Sequence, residues 1–270
     1  MKHNSIFAAL STAAVLSLAG NAHAAYTPFF GQDRNTAGAE AALATTPNSL
    51  VAENSFLSLL TNVRTETFEG LDGGDTGSLP LAFGTVNATL GGGASGENMV
   101  IDNSPSPTNG SGRYSVSSAN SGGAGSKYWE VKAGTSGDFT ITFTEKIAAF
   151  GFYGIDIGDF GGKLKVETKS GFDVKYSATV DNETGYDGSV LFYGMIADNG
   201  NEFDSITFYT TDVTTSNAVD YFGFDNFTIG TRRQVCEPGT PDCGDVPEPA
   251  SLALFGLALA GLAFVRKMKA

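Results

Sequence analysis

The sequence predicts an all-β fold: an antiparallel, jelly-roll-like β-sandwich with a short N-terminal helix before it and a C-terminal hydrophobic helix after it. Three observations predict this. From Arg64 onward, short runs rich in β-branched and aromatic residues alternate with clusters of Gly, Asn, Asp and Ser. Period-2 alternation in Phe139-Thr140-Ile141-Thr142-Phe143 and in Leu164-Lys165-Val166-Glu167 gives strands with one apolar and one polar face. No helical segments interleave with the strands, which points to packed sheets rather than an α/β architecture. The absence of a fixed-period repeat argues against a propeller or solenoid.

Taken in order, the one helical region is Ala37 to Leu60. There Ser49 is placed to cap Leu50–Leu60, and Phe56, Leu59 and Leu60 recur at helical spacing. The expected strands are Thr65–Glu69, Ala82–Leu90, Met99–Asp102, Arg113–Ser117, Tyr128–Lys132, Phe139–Phe143, Ala148–Ile155, Lys163–Thr168, Phe172–Thr179, Ser189–Ile196, Phe203–Thr210 and Tyr221–Ile229. Between Gly91 and Gly125 the chain is rich in Gly, Ser and Asn, with Pro105 and Pro107, and reads as long surface loops around weak strands.

Composition narrows the function. The 270 residues carry a formal charge of −13. Lys2 gives the N-terminal end +1, and the tail 246–270 holds +2 (Arg266, Lys267 and Lys269 against Glu248), so the stretch 25–245 between them carries −16. Nucleic-acid binders concentrate Lys and Arg against phosphate, so this charge argues against a nucleic-acid partner. The only two histidines, His3 and His23, precede Ala25. A mature chain starting at Ala25 has no imidazole, which removes Ser-His-Asp and Cys-His catalysis and His-based zinc sites.

Both ends read as targeting sequence. Lys2, the apolar stretch Ile6 to Leu18 and the Ala22-His23-Ala24 cleavage site form a secretory signal over residues 1–24, with cleavage read by Ala22 and Ala24. At the other end Pro247-Glu248-Pro249 precedes an apolar run from Leu252 to Val265 and then Arg266-Lys267-Met268-Lys269. That run falls short of the roughly 17–25 residues of a comfortable span. It fits transient inner-membrane anchoring, with the basic end kept cytoplasmic. Cys236 and Cys243 bracket a Pro/Gly turn just before this tail and are expected to form a local disulfide in an oxidising compartment. The organisation is therefore signal peptide 1–24, a helix-bearing segment 25–63, the sandwich 64–231, a Cys-bracketed stalk 232–245 and the tail 246–270.

The tail resembles the PEP-CTERM sorting signal of exopolysaccharide-producing Gram-negative bacteria: Pro247, Glu248 and Pro249 match its tripeptide, and Arg266 and Lys267 its basic end. The resemblance implies handling by exosortase, a membrane-embedded cysteine protease, and delivery to the cell surface or extracellular matrix. It covers the tail 246–270 alone. Gly-Phe-Tyr-Gly-x-Asp from Gly151, with Gly-Phe-Asp-Asn-Phe from Gly223, is similar to the sandwich domains of other PEP-CTERM proteins, and implies the domain type alone.

Candidate site residues fall in three groups. If first and last strands lie side by side, Glu69 and Asp225 can share a Ca²⁺ with backbone carbonyls. This opening-Glu, closing-Asp arrangement resembles calcium-bearing jelly-roll carbohydrate-binding modules, and the alternative is strand-end turn chemistry. Asp156 and Asp159, across a Gly turn, can hold a cation or a sugar hydroxyl, against the alternative of a tight hairpin. Tyr128 and the single Trp, Trp129, alternate across a strand, so one faces the core and the other can stack on a sugar ring. No cofactor is required; Ca²⁺ is the one the acids allow. The sequence thus describes an exported, non-catalytic surface or matrix protein associated with exopolysaccharide. The alternatives are a calcium-assisted carbohydrate-binding module and, further off, a glycoside hydrolase using paired carboxylates.

Overall fold

The computed structural model describes residues 25–92, 98–104, 106–116, 125–132, 139–158, 162–183, 185–211 and 221–236. The signal segment, Asp159, Cys243 and the whole PEP-CTERM tail with its expected helix lie outside these residues. The elements are β1 (Tyr26–Asp33), α1 (Pro47–Leu57), β2 (Arg64–Glu66), β3 (Leu79–Phe83), β4 (Val86–Gly92), β5 (Met99–Asp102), β6 (Lys127–Lys132), β7 (Phe139–Ile147), β8 (Ala149–Ile155), β9 (Lys163–Ser170), β10 (Asp173–Thr179), β11 (Val190–Ala197), β12 (Phe203–Thr211) and β13 (Tyr221–Gly230).

Two sheets face each other, and every strand pair among the described residues is antiparallel. One sheet runs β1-β11-β8-β13-β6-β5, with β2 also paired to β13; the other runs β10-β9-β12-β7-β4-β3. In β7 the alternation is realised as read: Phe139, Ile141 and Phe143 are buried and Thr140, Thr142 and Thr144 face outward. Between the sheets the aromatic rings interlock. Phe208 stacks on Phe139 at 4.4 Å and meets Phe152 and Phe224 edge-on at 5.2 Å each. Each such ring, once buried, contributes about 1.5–3 kcal/mol.

Besides the helix start, three segments differ from the sequence reading. Tyr26–Asp33 is an edge strand, paired residue for residue with β11. Ala82–Leu90 is not one strand but the end of β3 and most of β4, folded back at Gly84, whose φ of 78° suits the turn. Arg113–Ser117, read as a strand, is loop in its described part.

The outer face of the seven-stranded sheet is not open to water. Every residue of β8 and β11 is buried, because α1 and the segment around Tyr114 and Val116 roof that face. The roof corrects the sugar-stacking expectation for Tyr128 and Trp129. Trp129 packs between the sheets, Tyr128 points to the roofed face beside Arg113 and Asn103, and both are fully buried.

Helix α1 begins at Pro47, not at Ala37, and Ser49 is not its cap. The cap is Asp33 at the end of β1, whose carboxylate accepts from Asn48 N (3.0 Å) and Ser49 N (2.8 Å). An acidic group there also complements the helix dipole. Ser49 Oγ instead donates to Val190 O at 3.1 Å, fixing the helix to β11. Phe56 enters the sheet over Gly151 and Gly194, which are partners across β8 and β11. A Cβ at Gly194 would lie 2.9 Å from the Phe56 ring. Gly194→Ala is therefore expected to cost about 1–3 kcal/mol through overpacking, read as a lower urea midpoint at unchanged m-value. An unchanged midpoint would show that the helix moves away freely.

Candidate functional site

The site forms where β13 changes partners. Tyr221 to Phe224 pair with β6, and Phe227 to Ile229 pair with β2 on the same edge. Asp225 and Asn226 sit at the handover, where the register with β8 also shifts. Asn226 has φ 53°, and Phe68, two residues after β2, has φ 61°, both in the left-handed region, which Asn tolerates and Phe rarely adopts. The Phe68 ring packs edge-on against Phe227 at 5.2 Å, so the turn delivers Glu69 above the handover.

Asp225 is fully buried. Its Oδ2 accepts from Ser115 Oγ (2.8 Å) and Val116 N (2.9 Å), and its Oδ1 from Asn226 N (2.7 Å). Asn226 Nδ2 donates back to Val116 O at 2.8 Å. Glu69 Oε1 accepts from Ser126 N (2.8 Å) and Lys127 N (2.7 Å), where β6 begins. The negative charge of Glu69 is felt at Asp225. Each of the two carboxylates thus holds one loop, Asp225 the stretch at Ser115 and Val116 and Glu69 the start of β6. Above them opens a cleft of about 590 Å³, walled by Thr45, Thr46, Leu50, Asn103, Ser115 and Ser126 among others. Its walls mix hydroxyls with apolar surface, and its volume lies in the range of small-molecule sites.

Asp156 belongs to a different structure. Its Oδ1 accepts from Gly188 N at 2.6 Å, and Arg113 Nη1 approaches its Oδ2 at 3.4 Å. Arg113 also binds Glu130 through Nε at 2.7 Å and donates to the carbonyls of Ser111 and Tyr221. This buried network pins the roof to β6 and β8. Sequence reasoning passes over Arg113, yet it is the only basic residue between Gly91 and Gly125, which is the signal that could have found it. Among the described residues no three His, Cys, Asp or Glu side chains converge as metal ligands. Glu69 with Asp225 is the pair that could hold a hard cation, together with carbonyls. Cys236 is disulfide-bonded; Cys243, the sequence's only other cysteine, lies outside the described residues.

Beyond the sandwich, residues 245–267 match the PEP-CTERM protein-sorting motif. The chain carries a PEP-CTERM signal. The signal implies export, sorting to the surface of a Gram-negative cell and processing by exosortase, a membrane protease. Among solved structures, the K2 cleaved adhesin domain of Lys-gingipain is similar at 15% identity, over 63% of this chain and 98% of that one, with a TM-score of 0.34. The CBM22-1 xylan-binding domain of Paenibacillus barcinonensis Xyn10C is similar at 14% identity, over 66% and 97%, with a TM-score of 0.32. A DUF4465 family protein from Bacteroides ovatus is similar at 11% identity, over 76% and 98%, with a TM-score of 0.29. No curated protein matches the sequence.

Burial, and after it the charge of Glu69, holds the Asp225 carboxyl well above the usual carboxylate range, against the donors of Val116, Ser115 and Asn226. A carboxyl raised in the folded state binds its proton more tightly there than in the unfolded chain. Its stabilising contribution is therefore full at low pH and is lost as pH rises from the unfolded value through the folded one. Asp225→Asn is expected to flatten that decline in urea melts run from acid to neutral pH. Equal slopes for the two proteins would show that Asp225 does not titrate in this way.

Proposed function

We propose that this PEP-CTERM chain is a non-catalytic protein of the cell surface or extracellular matrix, held among exopolysaccharides and anchored transiently in the inner membrane before exosortase acts. The observation that carries this reading is the sorting motif at residues 245–267, behind a sandwich whose last strand ends at Gly230. Support for a non-catalytic role comes from the carboxylates of the site: Glu69, Asp225 and Asp156 are each bound to loop backbone, and Asp156 and Glu130 to Arg113. The sequence has no histidine after His23. The test is mass spectrometry of the mature protein from its native host. The expected result is an N-terminus at Ala25 and a C-terminus within the tail. Recovery of the intact 270-residue polypeptide from the cytosol would overturn the reading.

A second reading is favoured by one observation: Asp225 and Glu69 bind Ser115 and Ser126, and both serines line the same cleft. In it the sandwich is of the jelly-roll kind, and a Ca²⁺ shared by the two carboxylates braces a carbohydrate-binding cleft. Calcium would replace the proton on Asp225, so it would abolish the decline of stability with pH and raise the melting temperature at neutral pH. Calorimetric titration with Ca²⁺ that gives neither heat nor a melting shift removes this reading and leaves the first untouched.

A further inference from the structure

Both chain ends leave the sandwich at one end. Ala149 pairs with Ile196 in β11 and with Gly230 in β13. Around it, Ala148 N donates to Gly230 O, and Ala197 N to Ala148 O. Ala25, which precedes the Tyr26–Ala197 pair, accepts from Asp198 N at 3.0 Å. On the other side of Gly230 the chain runs through a 3₁₀ turn, Arg232–Gln234, to Cys236, whose N–H donates to Leu59 O at 2.8 Å. The signal segment therefore joins, and the sorting tail departs, from the same end of the domain.

The basic side chains are distributed unevenly about that end. Among the described residues, the side chains of Arg64, Lys146, Lys175 and Arg233 make no hydrogen bond, ion pair or ring contact; the other basic side chains are engaged with acids, carbonyls or rings. Three of the four lie at the exit end. Arg64 opens β2 opposite Ile229, Lys146 immediately precedes Ile147, which pairs with Phe203, and Arg233 lies in the exit turn. All three are exposed. The acids at this end are Glu145, Asp198 and Glu202, with Asp173 and Asp204 at the turns beside β12, and Glu202 is ion-paired with Arg232 at 2.8 Å. Cations and acids come close to balancing at this end, on a segment whose total is −16.

We propose that this end is a membrane-facing surface, and that Arg64, Lys146 and Arg233 seat it on the anionic phospholipid headgroups of the bilayer holding the tail. The inference rests on the proposed membrane anchoring of the tail. Charge complementarity selects the partner. An anionic bilayer attracts the three cations and repels the acidic remainder, so the domain stands on its exit end. The link from Cys236 to Leu252, where the apolar stretch starts, is short, and keeps the domain within roughly 60 Å of the bilayer even when fully extended.

The test uses the full chain in vesicles of phosphatidylcholine, alone or mixed with phosphatidylglycerol, with a headgroup-borne photo-crosslinker read by mass spectrometry. The expected cross-links fall on peptides around Arg64, Lys146 and Arg233, in the phosphatidylglycerol vesicles and not in phosphatidylcholine alone. The triple variant Arg64→Glu, Lys146→Glu, Arg233→Glu is expected to lose them by roughly tenfold or more. Raising the ionic strength should do the same to the unaltered chain, which keeps the test valid if the variant folds poorly. Equal cross-linking in both vesicle types, cross-links on other faces, or none at all overturns the proposal. So does displacement of this end from vesicles by polygalacturonate, which would assign the cations to an anionic glycan. Flotation on phosphatidylcholine alone reports the tail, so failure of the anchoring reading appears there and failure of this inference appears in the cross-links.

Discussion

A single strand with two successive partners on one edge sets the plan of this domain. β13 lies in the middle of its sheet and must release β6 before it can take up β2. At the handover the backbone has no ladder to join, and an unpaired polar group there would be costly. Asp225 and Asn226 replace the missing strand with side chains. One carboxylate and one amide take the N–H and C=O of Val116, and Glu69 takes the N–H groups where β6 starts. The hold on Ser115 and Val116, at the edge of the roof and beside the cleft, follows from this splice. Asp225 is the acid this splice buries, and a lone buried carboxyl holds only while a proton, donors or a cation offset it.

The sequence carries the sandwich itself and the position of the splice. In β7 and β9 the alternation is legible because the six-stranded sheet keeps one face in water, so each residue reports its side. The pairing of Thr65 and Glu66 with the closing strand is legible, although β1 and not β2 opens the sheet. In β8 and β11 the alternation disappears, since both faces are buried, and nothing local reveals that a helix and a loop supply the second cover. That is why Tyr128 and Trp129 read as one buried and one exposed. β1 escapes a local reading because Pro28, Gly31 and Gln32 weaken its strand character; its assignment depends on pairing with β11, far along the chain. The true cap of α1 escapes for the same reason. Asp33 lies in another element and reaches the helix through space.

The two broad faces of the sandwich have been given different tasks. One is roofed and consumed by internal structure, with Glu53 even brought into contact with the Tyr153 hydroxyl at 2.9 Å. The other remains a solvated surface of Thr, Ser and Lys, where Thr140 and Thr207 share a hydrogen bond across strands and Glu167 is flanked by Lys165 and Lys169. A folded unit arranged in this way asks little of the sorting tail beyond a point of attachment.

That point of attachment decides how the domain would respond to a pull. The chain leaves through β13, which is bonded along both edges, and then through a bridge between Val235 and Leu60 that ties it to the stretch after α1. A force applied through the tether enters an interior strand lengthwise, so many ladder hydrogen bonds resist together in shear. Had the tether left through an edge such as β1, the same force could open the sheet one bond at a time, as a zip is opened from its end.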